Sequence, residues 1–305
     1  MSKALVVGYG SIGARHVRIL EESGHEVAVV SRRRINVRTC YAGLDEALQQ
    51  YEPAYVVIAN RTSEHRDTLQ SLNRAGFTGD ILVEKPLFEA PGDLEPGGGS
   101  GRVFVAYNLR FHAVLQRLKT LLQGERMLSA QIYVGQYLPQ WRPQADYRTS
   151  YSASAGQGGG VLRDLSHELD YIAWLFNGWS RVAALGGHFS SLEIDSDDVF
   201  SVLLETPGCP VVSLQMNYLD RVGRRVVIIN TDSGTIEADL VRGTVTMNDQ
   251  IESIVSGRDD TYREMHAALL GGRHETLCTF RQGAEVLDLI AAIEQAAGTR
   301  QWVSR

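Results

Sequence analysis

The chain has 305 residues, 44% hydrophobic and 22% charged, with a formal net charge of -6. That length accommodates two domains of ordinary size with ample buried core, and the acidic balance gives no electrostatic reason to expect nucleic acid as a partner. No apolar run approaches the roughly 20 residues of a membrane-spanning helix and no signal-peptide pattern precedes the first strand, so a cytoplasmic protein without a membrane partner is expected.

The first element is an apolar strand that begins at Ala4 and stops at Gly8-Tyr9-Gly10-Ser11-Ile12-Gly13, a G-x-G-x-x-G spacing that leads straight into an amphipathic helical pattern. Such a turn cradles phosphate. Gly8 permits the tight turn, Gly10 lets backbone approach a pyrophosphate, and Gly13 lets the helix pack close on its strand. The N–H groups of Ser11, Ile12 and Gly13 then face the anion at the positive end of the helix dipole.

Alternating apolar runs and helical segments follow, the pattern of a doubly wound parallel sheet. Glu26 to Ser31 reads as the second strand. At its end stand Ser31, Arg32, Arg33 and Arg34, with no carboxylate to hold a ribose hydroxyl, so NADP is expected in preference to NAD. Leu44 to Tyr51 reads as a helix and Ala54 to Ala59 as a strand. Asn60 to His65 reads as a strand-to-helix loop, with Thr62 or Ser63 capping the helix that carries Arg66 to Ala75. Loops at strand carboxyl ends bind ligands in such sheets, which places Asn60 and His65 near the cofactor.

Asp80 to Val83 makes a strand running into Glu84-Lys85-Pro86, where the proline restricts the backbone and Lys85 points toward the same crevice. Phe88 to Arg102 reads as a polar loop without chemistry, Val103 to Ala106 as a strand, and Tyr107 to His112 as the approach to a helix ending near Leu122, with Arg110 expected to bind substrate. The domain boundary is placed after residue 123, giving a dinucleotide-binding domain over 1–123 and a substrate-binding and oligomerisation domain over 124–305.

Met127 to Val134 alternates as a strand. The segment Gln136 to Ser154 is rich in Tyr, Trp and Arg. Tyr137, Trp141 and Arg148 suit either a polyhydroxylated or anionic ligand or a subunit contact. The spacing predicts one helix over Val161 to Phe176, with Asp164, His167 and Asp170 on a shared face, where a carboxylate would orient the imidazole. Strands at Phe200 to Leu204, Val211 to Met216, Val226 to Asn230 and Thr235 to Asp239 suit an open, mainly antiparallel sheet with one face left for a partner subunit, and Ala284 to Ala297 reads as a closing helix. Cys40, Cys209 and Cys278 lack paired spacing, so neither a disulfide framework nor a metal site is expected.

The glycine turn, the Glu84-Lys85-Pro86 strand end and the Gly158 to Asp170 segment, in this order, resemble the Gfo/Idh/MocA family (glucose-fructose oxidoreductase, inositol dehydrogenase and relatives) over essentially the whole chain. The resemblance implies a Rossmann domain followed by an α/β domain with a large open sheet. It also implies NADP or NAD as cofactor, and hydride transfer to or from a sugar, cyclitol or related carbonyl compound. Lys85 matches the family's active-site lysine, and Asp164 and His167 its aspartate and histidine. Two departures stand out: Asn60-Arg61 replaces a usual Thr-Pro, and Asp164-x-x-His167 is one residue shorter than the usual spacing.

On this reading His167 is the general acid/base and Lys85 holds the substrate oxygen, with these two roles exchangeable. The chain is expected to act as a homodimer or homotetramer. The competing expectation is a non-catalytic protein of the same fold that senses nucleotide and sugar.

Overall fold

The computed structural model describes residues 2–92 and 101–305. Most of the loop expected over Phe88 to Arg102, including Pro96 and Gly97 to Gly99, lies outside the described residues. The chain divides into two compact units, residues 1–111 with 258–287, and residues 112–257 with 288–305.

The first unit begins with strands β1 (Lys3–Val7), β2 (Glu26–Val30), β3 (Cys40–Tyr41), β4 (Tyr55–Ile58), β5 (Asp80–Val83) and β6 (Val103–Val105), interleaved with helices α1 (Ser11–Glu22), α2 (Leu44–Tyr51) and α3 (Thr62–Arg74). The strands are parallel and ordered 3-2-1-4-5-6. The order reverses between β1 and β4. Leu5 and Val6 of β1, Val56 and Val57 of β4 and Leu82 and Val83 of β5 are fully buried, as strands covered on both faces require. Helix α3 begins at Thr62 itself with Arg61 in the capping position and no side-chain cap. The expected Thr62 or Ser63 cap is therefore not made.

The second unit contains helix α4 (Ala113–Leu121), strand β7 (Met127–Gly135), helices α5 (Val161–Asp164) and α6 (His167–Leu175), and strands β8 (Arg181–Gly187), β9 (Val199–Glu205), β10 (Val212–Asn217), β11 (Arg224–Thr231), β12 (Thr235–Asp239), β13 (Thr244–Met247) and β14 (Gln250–Ser253). With the short strand Val303–Ser304 they form a nine-stranded sheet ordered 14-13-12-11-7-10-9-8, closed at its edge by Val303–Ser304. All pairings are antiparallel except β7 with β10. In β9, Phe200, Val202 and Leu204 are buried while Ser201 and Leu203 are exposed, the period-two alternation of a sheet with one covered face.

After β14 the chain returns to the first unit with helix α7 (Asp260–Leu270) and a two-residue strand, Cys278–Thr279, antiparallel to β6, before helix α8 (Phe280–Thr299). The division expected after residue 123 differs from this one in two ways. It falls at His112, because α4 packs on β12 and β13, and residues 258–287 rejoin the first unit. Tyr262, Met265 and Leu269 of α7 fill the same core as Val17 and Leu20 of α1.

The single helix expected over Val161 to Phe176 is broken. Leu165 leaves helical geometry, with φ -97° and ψ 25°, and α6 restarts at His167. Buried carboxylates on either side account for the break. Asp164 meets the Tyr218 hydroxyl at 2.6 Å and Glu168 the Arg225 guanidinium at 2.7 Å. Leaving either buried group without its partner would cost more than the backbone bond surrendered at the kink.

Candidate functional site

The carboxyl ends of β1, β2 and β4 open onto a cavity of about 910 Å³. Its wall takes Gly8, Tyr9 and Gly10 from the first turn, Ser31, Arg32 and Arg33 from the end of β2, Asn60 and Arg61 from the loop after β4, and Glu64 from the first turn of α3. This is the point at which the strand order reverses, where an open α/β sheet leaves a crevice.

Each glycine of the turn has a distinct geometric reason. Gly8 sits at φ +99°, and a Cβ there would lie 2.6 Å from the Asn60 backbone. Around Gly10 a Cβ would meet nothing within 4 Å, so the backbone faces open space. At Gly13 it would lie 2.2 Å from the Gly8 carbonyl oxygen, so α1 rests directly on the turn. The first turn of α1 carries no acidic side chain and no side-chain cap, and its leading N–H groups have no acceptor within the helix. Asn60 adds a polar handle. Its amide donates to Thr68 at 2.8 Å, while its buried Oδ1 has no hydrogen-bond partner among the described residues. An open backbone cradle, a helix N-terminus and an orphaned acceptor fit a dinucleotide with its pyrophosphate over Gly10.

Arg33 donates to the Tyr9 carbonyl at 2.6 Å and closes a turn with the Ser31 hydroxyl, which accepts from its N–H at 3.1 Å. Ser11, Ile12, Gly13, His65, Glu84 and Lys85 stand outside the cavity wall. His65, expected beside the cofactor, is instead 1% exposed, with Nδ1 3.2 Å from the carbonyls of Pro86 and Leu87. Burial lowers its pKa, so it is a neutral donor bracing the segment after Lys85. Lys85 lies two residues beyond the end of β5 and is partly buried, and its N–H donates to Glu84 Oε2 at 3.1 Å.

Arg110 corrects a second expectation. It is 1% exposed, and its guanidinium donates to the Leu277 carbonyl and to Gln282 Oε1 within the first unit, so it holds that segment rather than a substrate.

In the second unit the break after Asp164 removes the shared helical face expected for Asp164, His167 and Asp170. His167 opens α6 and is partly exposed, whereas Asp170 is buried. Tyr218, which the sequence reading missed, donates to Asp164, and the Trp141 ring stands edge-on to it at 5.2 Å. Arg148, expected to touch substrate, is engaged by Asp146 and Glu193. Tyr137 is covered by the Arg221 guanidinium, 3.9 Å from its ring centre.

Asp197 supports the start of α5, its carbonyl accepting from Val161 and Oδ1 from Leu162, each at 3.0 Å. Burial pushes its carboxyl up to about 6. A raised carboxyl pKa means the folded state holds its proton longer, so stability from this group is full below about pH 4 and is lost as pH rises toward 6, by about 3 kcal/mol at most. Asp197→Asn keeps an acceptor for Leu162. In urea titrations it is expected to match the wild type at pH 4 and exceed it at pH 7.5, and a constant difference at both pH values would contradict the assignment.

Residues 2–96 match the family described as "Oxidoreductase family, NAD-binding Rossmann fold", and residues 116–237 match the GFO/IDH/MocA C-terminal domain. Among solved structures, an oxidoreductase from Thermotoga maritima is 18% identical with a TM-score of 0.82, covering 99% of this chain and 98% of its own. The WlbA dehydrogenase from Bordetella pertussis, solved with NADH and UDP-GlcNAcA, is 20% identical with a TM-score of 0.78, covering 100% of this chain and 98% of its own. A myo-inositol dehydrogenase from Corynebacterium glutamicum is 19% identical with a TM-score of 0.78, covering 100% and 98%. Among curated protein sequences none matches the chain. No helix of the described residues is long and apolar enough to cross a membrane.

Proposed function

The chain belongs to the GFO/IDH/MocA family of oxidoreductases with an NAD-binding Rossmann fold, and from that premise we propose that it interconverts a secondary alcohol and a ketone on a sugar, cyclitol or sugar-derived substrate. The observation that carries this reading is the cradle at the reversal of the strand order, with Gly10 open, Gly8 and Gly13 sterically obligatory, and Asn60 Oδ1 left to accept. Bound nicotinamide supplies the acceptor or donor of hydride.

The protein's own residues handle the proton and the charge. His167 takes the hydroxyl proton as hydride leaves, or returns it in reduction, since imidazole is the side chain best matched to neutral pH. Lys85 holds the substrate oxygen and stabilises the charge that builds on it. Asp164, fixed by Tyr218, binds the substrate or orients the imidazole. Arg32 and Arg33, at the end of β2 where the Ser31 to Arg34 segment carries no carboxylate, favour the extra phosphate of NADP over NAD. The solvent-facing side chains of the nine-stranded sheet, with Leu185 58% and Leu203 49% exposed, form the surface of a homodimer or homotetramer.

Incubation with NADPH or NADH and a panel of keto-sugars, followed by nicotinamide absorbance, tests the reading. Turnover with at least one sugar-like ketone, and a higher kcat/KM with NADPH, is expected from a species that sediments as a dimer or larger. Tight cofactor binding without turnover on any carbonyl would overturn the enzymatic reading in favour of a sensor.

A further inference from the structure

Four buried polar side chains, from α1, β4, α7 and the segment following β5 of the first unit, join in a line that ends beside Lys85. The Tyr55 hydroxyl lies 3.0 Å from His266 Nδ1, His266 Nε2 lies 2.8 Å from His16 Nδ1, and His16 Nε2 lies 2.7 Å from Glu84 Oε1. Tyr55, His266 and His16 are at most 2% exposed and Glu84 is 8% exposed. The other oxygen of Glu84 accepts the N–H of Lys85.

Protons can be placed on this line in one consistent direction. An ionised carboxylate only accepts, so His16 donates from Nε2, and as a neutral imidazole it then accepts at Nδ1. His266 must then donate from Nε2 and accept at Nδ1, and the proton it accepts is that of Tyr55. Every buried donor and acceptor is satisfied with both imidazoles neutral and no charge besides that of Glu84. Burial keeps the Tyr55 hydroxyl protonated and, with His16 and His25 adding to it, holds His266 well below the ordinary imidazole range. The neighbouring titratable and charged groups are Tyr262, edge-on to His16 at 5.4 Å, Arg15 over the Tyr262 ring at 4.2 Å, and Asp80 toward Tyr55.

We infer that Tyr55, His266 and His16 form a one-directional hydrogen-bond relay that fixes Glu84, and through it the backbone that presents Lys85, so that His16 and His266 are positioning residues for the reaction. The functional part rests on the proposed role of Lys85, and the proton arrangement does not. The relay also explains why α7 returns to the first unit, since it delivers His266 to the centre of the line. A misplacement of about 1 Å at a group holding a reacting oxygen can cost on the order of 100-fold in rate.

Two measurements on the full chain test it separately. Long-range proton–nitrogen NMR spectra of the histidine rings are expected to show His16 and His266 both protonated at Nε2 alone. In Glu84→Gln, whose one amide oxygen is needed by the Lys85 N–H, both rings are expected to switch together to Nδ1. A wild-type ring protonated at Nδ1 or at both nitrogens, or rings that do not respond to Glu84→Gln, would overturn the relay whether or not any substrate is found.

In the second measurement, His266→Leu removes the partner of the Tyr55 hydroxyl and of His16 Nδ1, and is expected to lower kcat at least about tenfold with KM for the cofactor within twofold. His266→Gln, whose amide can accept from Tyr55 and donate to His16, is expected to recover most of that loss. Folded His266→Leu with wild-type kcat, or a glutamine variant no better than leucine, would end the positioning role. If His266→Leu fails to fold, the ring tautomers decide alone.

Discussion

Lys85→Ala lowers kcat by about 10²-fold or more in the expected result, while the dissociation constant of the cofactor stays within a few-fold of the wild type. The two halves of that expectation have different sources. The loss follows from removing an ammonium that stabilises charge only as it develops on the substrate oxygen, and an interaction confined to the transition state is read in kcat. The insulation of cofactor binding follows from geometry, because the cradle is built from the backbone at the ends of β1, β2 and β4, and Lys85 stands outside its wall. His167→Ala is expected to give a loss of similar size. If both groups serve one chemical step, the double variant should be little worse than either single one. Stopped-flow and steady-state kinetics with cofactor binding followed by fluorescence check all three variants. Near-normal turnover in Lys85→Ala removes the ammonium from the mechanism, and a proportional rise in the cofactor dissociation constant would move Lys85 from the substrate to the cofactor.

The parts of this fold that could be read from sequence are those whose signals are local. The glycine spacing, the apolar runs of β1 and β4, and the strand expected over Phe200 to Leu204, now within β9, depend on neighbours a few residues away, and all reappear in the structure. What escaped depends on contacts distant in sequence. His16 was visible as one more residue of an amphipathic helix, but its partners, Glu84 and His266, are 68 and 250 positions away. Arg110 was expected to bind substrate because no local pattern shows that a segment 167 residues later would bury it. The kink at Leu165 has the same origin: Tyr218 and Arg225 claim two carboxylates that helical periodicity alone would have kept on a continuous helix. Missing α7 cost most, because the division into units depends on where those residues pack.

Gly13→Ala sets two opposing effects against each other, and their sizes decide the sign. Alanine is the better helix former by about 1 kcal/mol, and position 13 lies inside α1 without positive φ, so propensity alone would stabilise the chain. Its Cβ, however, would lie 2.2 Å from the Gly8 carbonyl oxygen, a backbone atom that no side-chain rotation can withdraw. Relief requires α1 to lift by about 1 Å, and overpacking of that kind costs about 1 to 3 kcal/mol. The clash therefore wins, and because the displaced element is the one whose leading N–H groups face the cradle, cofactor affinity is expected to fall at least tenfold along with the unfolding midpoint. Gly10→Ala separates the two readouts. Its Cβ meets nothing within 4 Å, so stability without cofactor should hold, while the methyl group occupies the space left for a pyrophosphate and affinity should still fall. Calorimetric unfolding of the cofactor-free variants, together with titration by NADPH, measures both quantities. Gly10→Ala binding as tightly as the wild type would mean that the phosphates lie elsewhere, and a stabilised Gly13→Ala would mean that α1 does not rest on the turn.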